Sequence, residues 1–590
     1  MPLSFKGCGI ICYMEDIRKR LAEGVKRLFD VEVEVEITPA PEETGADYAS
    51  NVAMKLAKVA HKAPMTIAEE LKEVLQSEGI GGFAVEVAAP GFLNFISPDE
   101  YYVNKIAEIA NNQGFSSNNI SLDEYFGKTV VAEFSDPNPF KVLHVGHLYT
   151  SVVGDSISRL LELAGAKVVR ANFGGDVGLH VAKTLYAVLN KNNTNLTIEE
   201  IAKCYVEGTQ EYDENEHARD EITELNKIIY TLAELGEEKC RERLELEMVA
   251  EDFGRSTAEI ARLAELYWRG RELSYEYFKD FYARIGVKFD KFYPESAVTQ
   301  KGLEEVRAHV GTVYEESEGA IVYRGEKVGL HTRVFVNAQG VPTYEAKDVG
   351  LIFTKWADWH FDESIVITGN EQTDYMKVVL ASVKEYAPEL VEKTQHLTHG
   401  MVKLPGNVKM SSRKGNFLKA VDVIDMVGEE LGGEQADEKV VLAALKYAFL
   451  KYKMGGDIVF DPKESVAMNG NSGVYLLYSA VRAKKILQKL DKCGKSEQLD
   501  LNDEERRFVR KLSKKLVQYE EVIAGAMCGK APYKLCTYLY ELAQEFSRFY
   551  EKVRVVGGGH EEVLEKYVKA YVGVMGQGLR LLGIEIPEEM

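Results

Sequence analysis

The chain has 590 residues, of which 45% are hydrophobic and 28% charged, and its formal net charge is −21. This length exceeds what one hydrophobic core can fill and predicts about three or four domains. Because no apolar run approaches about 18 residues, the composition excludes a membrane span, and it also excludes extensive disorder. The negative charge excludes a generally basic nucleic-acid binder, so an RNA partner would need local basic patches.

The seven cysteines are scattered, without a CxxC pair. This spacing predicts reduced thiols in a cytoplasmic protein and no zinc site. The first residues show no secretory pattern, and a better amphipathic helix begins at Met14. We therefore expect residues 1–13 to be dispensable.

Residues 14–115 predict a small α/β unit. Alternating Val and Glu over residues 31–37 predict a strand, and two motifs follow around Tyr48, Asn51 and Asn94. Each of these three side chains is also explained by a role in holding the unit together. A polar segment containing Gly and Asn at residues 111–121 is typical of a linker.

A βαβ unit is predicted next. Residues 129–134 form an apolar, β-branched run, a turn follows at residues 135–139, and apolar residues recur at helical spacing over residues 145–164. Gly165 ends this helix, and residues 167–173 begin a second strand. Ligands of such units bind at the carboxyl ends of the strands, where the helix amino end favours phosphate.

Two histidines flank the start of that helix. His144 and His147 are three residues apart and can face one point, while Gly146 between them has no Cβ to obstruct a ligand. Such imidazoles can donate to triphosphate oxygens during attack on the α-phosphorus. Two incidental surface histidines, or half of a metal site, explain the pair equally well when it is taken alone.

The middle of the chain is helical and charged from about residue 182 to 282, and strand-like runs return at residues 320–323, 333–337 and 364–368. Tyr344 and Asp348 are four apart, hence on one helical face, and Glu295 supplies a second carboxylate. A carboxylate such as Asp348 can accept a forked guanidinium. Taken singly, each of these is an ordinary tyrosine or acid.

A cationic, glycine-flanked segment spans residues 401–416 and contains Lys409, Arg413 and Lys414 beside two serines. A mobile cationic loop suits a leaving pyrophosphate, although an isolated charge run is more often a solvated face. From residue 461 the chain is helical again, and Tyr475, Tyr478 and Arg482 share a face suited to stacking on bases or to core packing.

The two signatures, His-Val-Gly-His at residues 144–147 and Lys-Met-Ser-Ser-Arg at residues 409–413, resemble the paired motifs of class I aminoacyl-tRNA synthetases. The closer resemblance is to arginyl-tRNA synthetases, whose pattern matches residues 135–148 and 409–416 and extends essentially from end to end. Both ends of residues 461–590 also resemble the anticodon-binding bundle of this family.

The resemblance implies a multidomain α/β + α protein. Its expected parts are an N-terminal additional domain of small α/β type at residues 1–115, a Rossmann-like parallel-sheet catalytic domain at residues 116–460 with a helical insertion at about 182–282, and an all-α anticodon-binding domain at residues 461–590. The implied function is arginine–tRNA ligase activity: L-arginine is activated with ATP and transferred to the 3′ end of tRNA(Arg). Mg²⁺ is expected to arrive with ATP, without a protein-built metal site.

Site residues follow from the same resemblance. Arginine is expected to contact Glu133, Asn138, His144, Glu295, Tyr344, Asp348 and Gln372. ATP is expected to contact His144, Gly146, His147, Gly175, Asp176, Gly369, Lys409, Met410, Ser411, Ser412 and Arg413. The expected catalytic residues are His144, His147, Lys141 and Lys409, and the expected tRNA contacts are Tyr48, Asn51, Asn94, Tyr475, Tyr478 and Arg482.

Three positions depart from the family pattern. Tyr149 stands where an arginine is usual, Val177 where a tryptophan is common, and Ser412 in place of the second signature lysine. Members lacking that lysine tend to carry one where Lys141 stands, which implies a triphosphate role for it. The alternatives are another class I ligase and a catalytically inactive RNA-binding paralogue. A monomer without a membrane partner is expected.

Overall fold

The computed structural model describes residues 9–41, 44–80, 82–112, 124–191, 196–406, 418–490 and 501–590. The chain divides into two compact units. The terminal unit comprises Met1–Phe126, Leu163–Gly165 and Met468–Met590, and the central unit comprises Gly127–Glu162 and Ala166–Ala467. Among the described residues, no helix is both long enough and apolar enough to cross a membrane.

The N-terminal part of the terminal unit is a four-stranded antiparallel sheet covered by helices. The elements are α1 (Gly9–Phe29), β1 (Thr38–Pro39), β2 (Tyr48–Ser50), α2 (Val52–Ala60), α3 (Pro64–Glu78), β3 (Ala84–Ala88), β4 (Phe92–Ile96) and α4 (Asp99–Asn111), with strand order β1-β2-β4-β3. The predicted strand at residues 31–37 is wrong, since pairing begins only at Thr38. Val35 and Ile37 are nevertheless buried, which explains the alternation.

The central unit is built on a five-stranded parallel sheet of order β12-β11-β5-β6-β7. Its first elements are β5 (Thr129–Glu133), α5 (Val145–Leu163), β6 (Lys167–Gly174) and α6 (Leu179–Asn190). β5, the middle strand, has only buried residues after Thr129 because helices cover both faces of a parallel sheet. The predicted βαβ unit and the predicted fold class are confirmed.

A helical insertion follows α6. It consists of α7 (Ile198–Glu214), α8 (Glu216–Leu235), a 3₁₀ turn (Lys239–Arg241), α9 (Arg243–Asp252) and α10 (Thr257–Arg284). α10 begins with a capping box, in which the Ser256 side chain accepts from the Glu259 N–H and the Glu259 carboxylate accepts in return from the Ser256 N–H. The insertion has its own buried core, which also includes Val177 from the loop before α6.

The rest of the central unit returns to the sheet. Its elements are β7 (Lys291–Pro294), α11 (Glu295–Ala308), β8 (Glu315–Ser317), β9 (Ala320–Tyr323), β10 (Arg333–Val336), α12 (Tyr344–Trp359), β11 (Glu363–Gly369), α13 (Thr373–Lys384), α14 (Pro388–Glu392), β12 (Thr394–His399), β13 (Val402–Lys403), α15 (Ala420–Glu430), α16 (Glu438–Leu450), β14 (Ile458–Val459) and α17 (Pro462–Ser465). The strand-like runs at residues 320–323 and 333–337 form a separate antiparallel sheet with β8, whereas the run at residues 364–368 joins the parallel sheet as β11.

The C-terminal part of the terminal unit is a helical bundle. Its helices are α18 (Gly473–Leu490), α19 (Asp503–Val517), α20 (Tyr519–Cys528), α21 (Pro532–Lys552) and α22 (Glu561–Leu581). α19 is strongly basic and begins with a capping box formed by Asn502 and Glu505. Of its basic residues, Arg510, Lys514 and Lys515 form ion pairs with carboxylates, so the positive charge of α19 is partly compensated.

Within the terminal unit, Asp47 joins the start of β2 to α19. Its carboxylate accepts from the Ser97 N–H at 2.6 Å and lies 2.6 Å from Lys514 Nζ and 3.3 Å from Arg510 Nη2. Burial opposes ionisation, but Lys514, the Ser97 N–H and Arg510 outweigh it and lower the pKa of Asp47. The carboxylate is thus a buried anchor between the sheet and the bundle.

We expect Asp47→Ala to lower the free energy of unfolding by about 2 kcal/mol, because it leaves the Ser97 N–H and two half-buried cations, Arg510 and Lys514, without their acceptor. Denaturant unfolding measures this loss. Since the folded pKa is lowered, the contribution is present above the unfolded pKa and disappears as pH falls through the folded value. Asp47→Asn keeps an acceptor for Ser97 and should lose less; equal stability of parent and Ala variant would contradict the anchor.

Candidate active site

A cavity of about 650 Å³ opens at the carboxyl ends of β5, β6 and β11 in the central unit. This is where ligands of open parallel sheets bind. The predicted residues that line it are Glu133, Asn138, His144, Gly146, His147, Gly175, Glu295, Tyr344, Asp348, Gly369 and Gln372. Residues far apart in the chain are therefore brought to one place by the crossover connections.

Two of the cavity's carboxylates are paired with buried lysines that sequence reasoning missed. Glu133 at the end of β5 lies 2.5 Å from Lys355 Nζ, and Glu295 at the start of α11 lies 2.6 Å from Lys347 Nζ. All four side chains are less than 5% exposed. Each acid is thus largely neutralised within the protein. The signal in the sequence was the spacing of both lysines on α12, the helix that carries Asp348.

Asp348 lies one helical turn after Tyr344 on α12, as the spacing predicted. The Tyr375 hydroxyl, from α13, donates to its carboxylate. Burial raises the pKa of Asp348 to about 7, and the hydrogen bond from Tyr375 only partly opposes this. Among the described residues no cation lies within ion-pair distance of Asp348, so an incoming cation would find it uncompensated.

Asp136 is a second uncompensated carboxyl group and was missed as a site residue. It lines the cavity from the loop after β5, and its Oδ1 accepts from the Phe173 N–H at 2.8 Å. Burial and the neighbouring Glu133 raise the pKa of Asp136 well above its ordinary value. Its backbone is left-handed, with φ of 47°, which aspartate tolerates better than most residues. In the sequence it looked like an ordinary turn residue.

The affinity for a guanidinium ligand should depend on pH through Asp348. A guanidinium ligand at this carboxyl group would bind its ionised form, and a raised pKa keeps the carboxyl group partly protonated near neutrality. We expect arginine to bind about tenfold more tightly at about pH 8 than at about pH 6, as measured by titration calorimetry. Asp348→Asn should bind weakly at both values. A constant affinity in the parent protein would contradict this role.

His144 and His147 stack at the start of α5, with ring centroids 3.8 Å apart. The Gly146 N–H donates to His144 Nδ1 at 3.1 Å, and the His144 N–H donates to His147 Nδ1 at 3.2 Å. Since both Nδ1 atoms accept, the neutral rings carry their protons on Nε2. Burial and the charge of Lys141 lower the pKa of His144 to about 4, and burial lowers that of His147 well below its ordinary value.

Glycines make room for this arrangement at two places. A Cβ on Gly146 would lie 2.9 Å from the His144 ring, and one on Gly175 would lie 2.7 Å from Asn138 Oδ1. The Gly175 N–H donates to that same oxygen at 2.8 Å. The close backbone approach therefore fixes Asn138 as well as the histidine pair.

The comparisons with known proteins identify the family of the chain. The model of tRNA synthetases class I (R), catalytic domain, matches residues 115–448, more than half of the chain. The chain belongs to the arginyl class I tRNA synthetases. The DALR anticodon binding domain matches residues 476–590, and the arginyl tRNA synthetase N-terminal domain matches residues 15–96. The predicted enzyme class, a ligase of the arginine–tRNA ligase type, is confirmed at the level of this family.

Individual relatives of this arginyl class I synthetase cover nearly its whole length. It is 28% identical to arginine–tRNA ligase of Treponema denticola over 91% of this chain and 90% of that protein. It is likewise 28% identical to that of Clostridium perfringens over 98% and 100%. The arginyl-tRNA synthetase structure from Plasmodium falciparum shares the fold, with a TM-score of 0.75 and 18% identity over 100% of both chains. The structure from Thermus thermophilus does so as well, with a TM-score of 0.70 and 23% identity over 98% of this chain and 100% of that one.

Asp176 is a predicted ATP contact of this synthetase that does not line the cavity. Asp176 is fully buried and accepts from Arg271 Nε at 2.8 Å and from the Ser296 N–H and hydroxyl. This geometry favours a structural role over direct ATP contact. Lys141, predicted as a catalytic residue, has its Nζ 4.8 Å from the Tyr205 ring centroid, and its charge helps to lower the pKa values of His144 and His147. Lys409, Met410, Ser411, Ser412 and Arg413 lie outside the described residues.

Tyr149, which replaces the arginine usual in this family, belongs to the core. Its ring is fully buried and packs edge-on against His399 and Phe449, with centroids 4.7 and 5.4 Å away. Its hydroxyl is buried without a hydrogen-bond partner among the described residues. An aromatic side chain here fills space between α5 and α16 and does not reach a phosphate.

The residues predicted to contact tRNA differ in exposure. Asn94 is buried at 5% exposure in β4, and Asn51 Oδ1 is buried without a hydrogen-bond partner among the described residues, while Tyr48 is half-buried in β2. In α18, Tyr478 is 42% exposed. The remaining two are Tyr475, which packs edge-on against Tyr540, and Arg482, which lies over the Tyr550 ring. Tyr478 is thus the best placed for RNA, and Asn94 the least.

Proposed function

We propose that the cavity activates L-arginine with ATP to arginyl-adenylate and then transfers the arginyl group to the 3′ end of tRNA(Arg). The observation that carries the proposal is the separation of charge types along one cavity. Uncompensated carboxyl groups lie on the side of Asp136 and Asp348, and paired imidazole N–H donors lie at the amino end of α5.

The acidic side of the cavity suits arginine because Lys347 and Lys355 compensate two of its carboxylates and leave Asp136 and Asp348 for a cationic ligand. Glu133 and Glu295 already have lysine partners, so each can accept further hydrogen bonds without adding an unbalanced charge. The guanidinium would lie on Asp348 and Glu295 beside the Tyr344 ring, and the α-ammonium near Asn138, Gln372 and Glu133. A lysine side chain offers no forked donor to the two carboxylates, and citrulline has no charge. Discrimination of about 10⁴ then needs no editing site.

The first step requires no side-chain nucleophile. The arginine carboxylate attacks the α-phosphorus in line, an oxygen–phosphorus bond forms, and pyrophosphate leaves with the electron pair of the broken bond. The Nε2–H donors of His144 and His147 would stabilise the charge that grows on the phosphate oxygens. Because burial keeps both rings neutral, they donate protons in hydrogen bonds and do not transfer them.

The second step uses the same site. The terminal ribose hydroxyl of the tRNA attacks the carbonyl carbon of the adenylate, an ester bond forms, the bond from that carbon to the phosphate oxygen breaks, and AMP leaves with the electron pair while the hydroxyl proton is released. Lys141 and Lys409 are proposed to contact the triphosphate in the first step. Mg²⁺ is proposed to arrive with ATP and to be held by its phosphate oxygens.

The tRNA contacts are proposed to lie in residues 1–115 and 461–590, which precede and follow in sequence a proposed catalytic domain at residues 116–460. The matches of three separate family models to the corresponding parts of the chain support this division. The basic helix α19 and the exposed Tyr478 supply charge and a stacking surface. The monomeric state and the cytoplasmic location stay predictions.

ATP–pyrophosphate exchange with each amino acid in turn, with and without total tRNA, tests the proposal. We expect exchange with arginine alone and only in the presence of tRNA, because the family usually needs bound tRNA to form the adenylate. Exchange with a different amino acid would overturn the arginine pocket. No exchange with any amino acid would favour the inactive RNA-binding paralogue.

A further inference from the structure

His399 is a buried histidine at the carboxyl end of β12 that the proposed reaction does not use. It lines the cavity, and both ring nitrogens are engaged. Nδ1 lies 2.8 Å from the Gly400 carbonyl oxygen, and Nε2 lies 2.7 Å from Thr150 Oγ1. A ring held at both nitrogens has one orientation.

Thr150 also connects His399 to the first signature, residues 144–147. The Thr150 hydroxyl is also 2.8 Å from the Gly146 carbonyl oxygen, and the N–H of the same Gly146 donates to His144 Nδ1 at 3.1 Å. A series of close polar contacts therefore runs from β12 to the ring of His144. Residue 146 is held at its carbonyl by the threonine and at its N–H by the histidine.

The hydrogen-bond partners of His399 show which of its ring nitrogens carries a proton. A carbonyl only accepts, so His399 Nδ1 carries a proton, and the neutral ring offers a lone pair at Nε2. Burial lowers the pKa of His399 against the opposing effects of Gly400 and Glu371, while Tyr149 packs on it as a neutral ring and His144 is neutral as well. The Thr150 hydroxyl has one proton and two acceptors within reach, so it shares this proton between the Gly146 carbonyl oxygen and His399 Nε2 and in this way links α5 to β12.

We propose that His399 is a positioning residue for adenylate formation: through Thr150 it orients residue 146 and so the direction in which His144 presents Nε2–H to ATP. The inference rests on the role proposed above for His144. The first turn of α5 is fastened on its other side as well, since the Val145 N–H donates to the Leu418 carbonyl oxygen at 2.9 Å. A displacement of that turn by about 1 Å is enough to cost a large factor in rate.

The test compares His399→Phe, Thr150→Val and the double variant in arginine-dependent ATP–pyrophosphate exchange with saturating tRNA. Each single variant should lower kcat about tenfold with the KM for arginine changed less than about twofold, because the series is broken but the arginine side is untouched. The double variant should be no worse than either single one, since both remove the same coupling. The proposal would be overturned if the two losses in kcat multiplied in the double variant, or if His399→Phe were fully active.

Two further variants separate positioning from folding. Thr150→Ser keeps the hydroxyl and should recover activity to within about threefold of the parent. His396→Phe removes a similar bond in the same strand, from His396 Nε2 to Thr368 Oγ1 at 2.8 Å, without touching α5, and should change kcat less than about twofold. A loss in His396→Phe equal to that in His399→Phe would show that strand integrity alone is responsible, and would overturn the proposal.

His144→Ala, measured in the same assay, distinguishes failure of the positioning role of His399 from failure of the proposed function. If it abolishes exchange while His399→Phe is fully active, the proposed function stands and the positioning role fails. If His144→Ala retains normal exchange, the proposed function of the first signature fails, and the positioning role fails with it.

Discussion

His147→Ala is expected to lower arginine-dependent ATP–pyrophosphate exchange by about 10³-fold, at the upper end of what loss of one preorganised donor costs. His147 is half-buried, stacks on His144 and presents Nε2–H, because its Nδ1 is occupied by the His144 N–H. In a neutral ring this donor needs no deprotonation or reorganisation when charge grows on the phosphate. Removing it leaves the transition state without a stabilising contact and leaves the His144 N–H unpaired.

The measurement needs a partly rescuing variant and a binding control. His147→Gln, whose amide N–H reaches a similar position, should recover about tenfold over the alanine variant. tRNA binding should be unchanged in both, since the proposed tRNA contacts lie at other residues. Undiminished exchange in His147→Ala would refute the catalytic role, and an inactive parent protein that binds tRNA would point to the RNA-binding paralogue.

Asp348→Ala is expected to weaken arginine binding by about 10²-fold, the cost of removing one partner of a buried, charge-assisted hydrogen bond. Asp348 has no cation of its own among the described residues, so its full charge is available to the guanidinium. The change also leaves the Tyr375 hydroxyl without its acceptor. Calorimetric titration with arginine at about pH 8, where the parent carboxyl is ionised, measures the loss.

Asp358 provides the matched control because it lies on the same helix, α12, and accepts from the Tyr293 hydroxyl at 2.9 Å away from the cavity. Asp358→Ala should bind arginine within about threefold of the parent. Asp348→Asn keeps an acceptor for Tyr375 and removes only the charge, so it should lose nearly as much affinity as Asp348→Ala. Retained affinity in the Asn variant would refute the ionic role of Asp348.

Local sequence signals predicted the central βαβ unit closely. The predicted helix at residues 145–164 is α5, Val145–Leu163, and the strand at residues 320–323 is β9. Such signals fail where side chains are buried but the backbone does not pair with another strand. Val35 and Ile37 alternate as in a strand and are buried, yet their backbone makes no ladder, because hydrophobic periodicity reports which side chains face a core and not which backbone groups pair.

By itself the sequence determined the ordering of the two signatures, the family to which the chain belongs, and the acids and histidines that line the cavity, because these depend on residue type and short spacings. Only the tertiary structure decided which charges are already compensated. Lys347 and Lys355 neutralise Glu295 and Glu133 across 52 and 222 residues, Asp136 and Asp348 remain uncompensated, and Thr150 meets His399 across 249 residues. Ion pairing and pKa depend on distances of a few ångströms and on burial, and the crossovers of a parallel sheet set both.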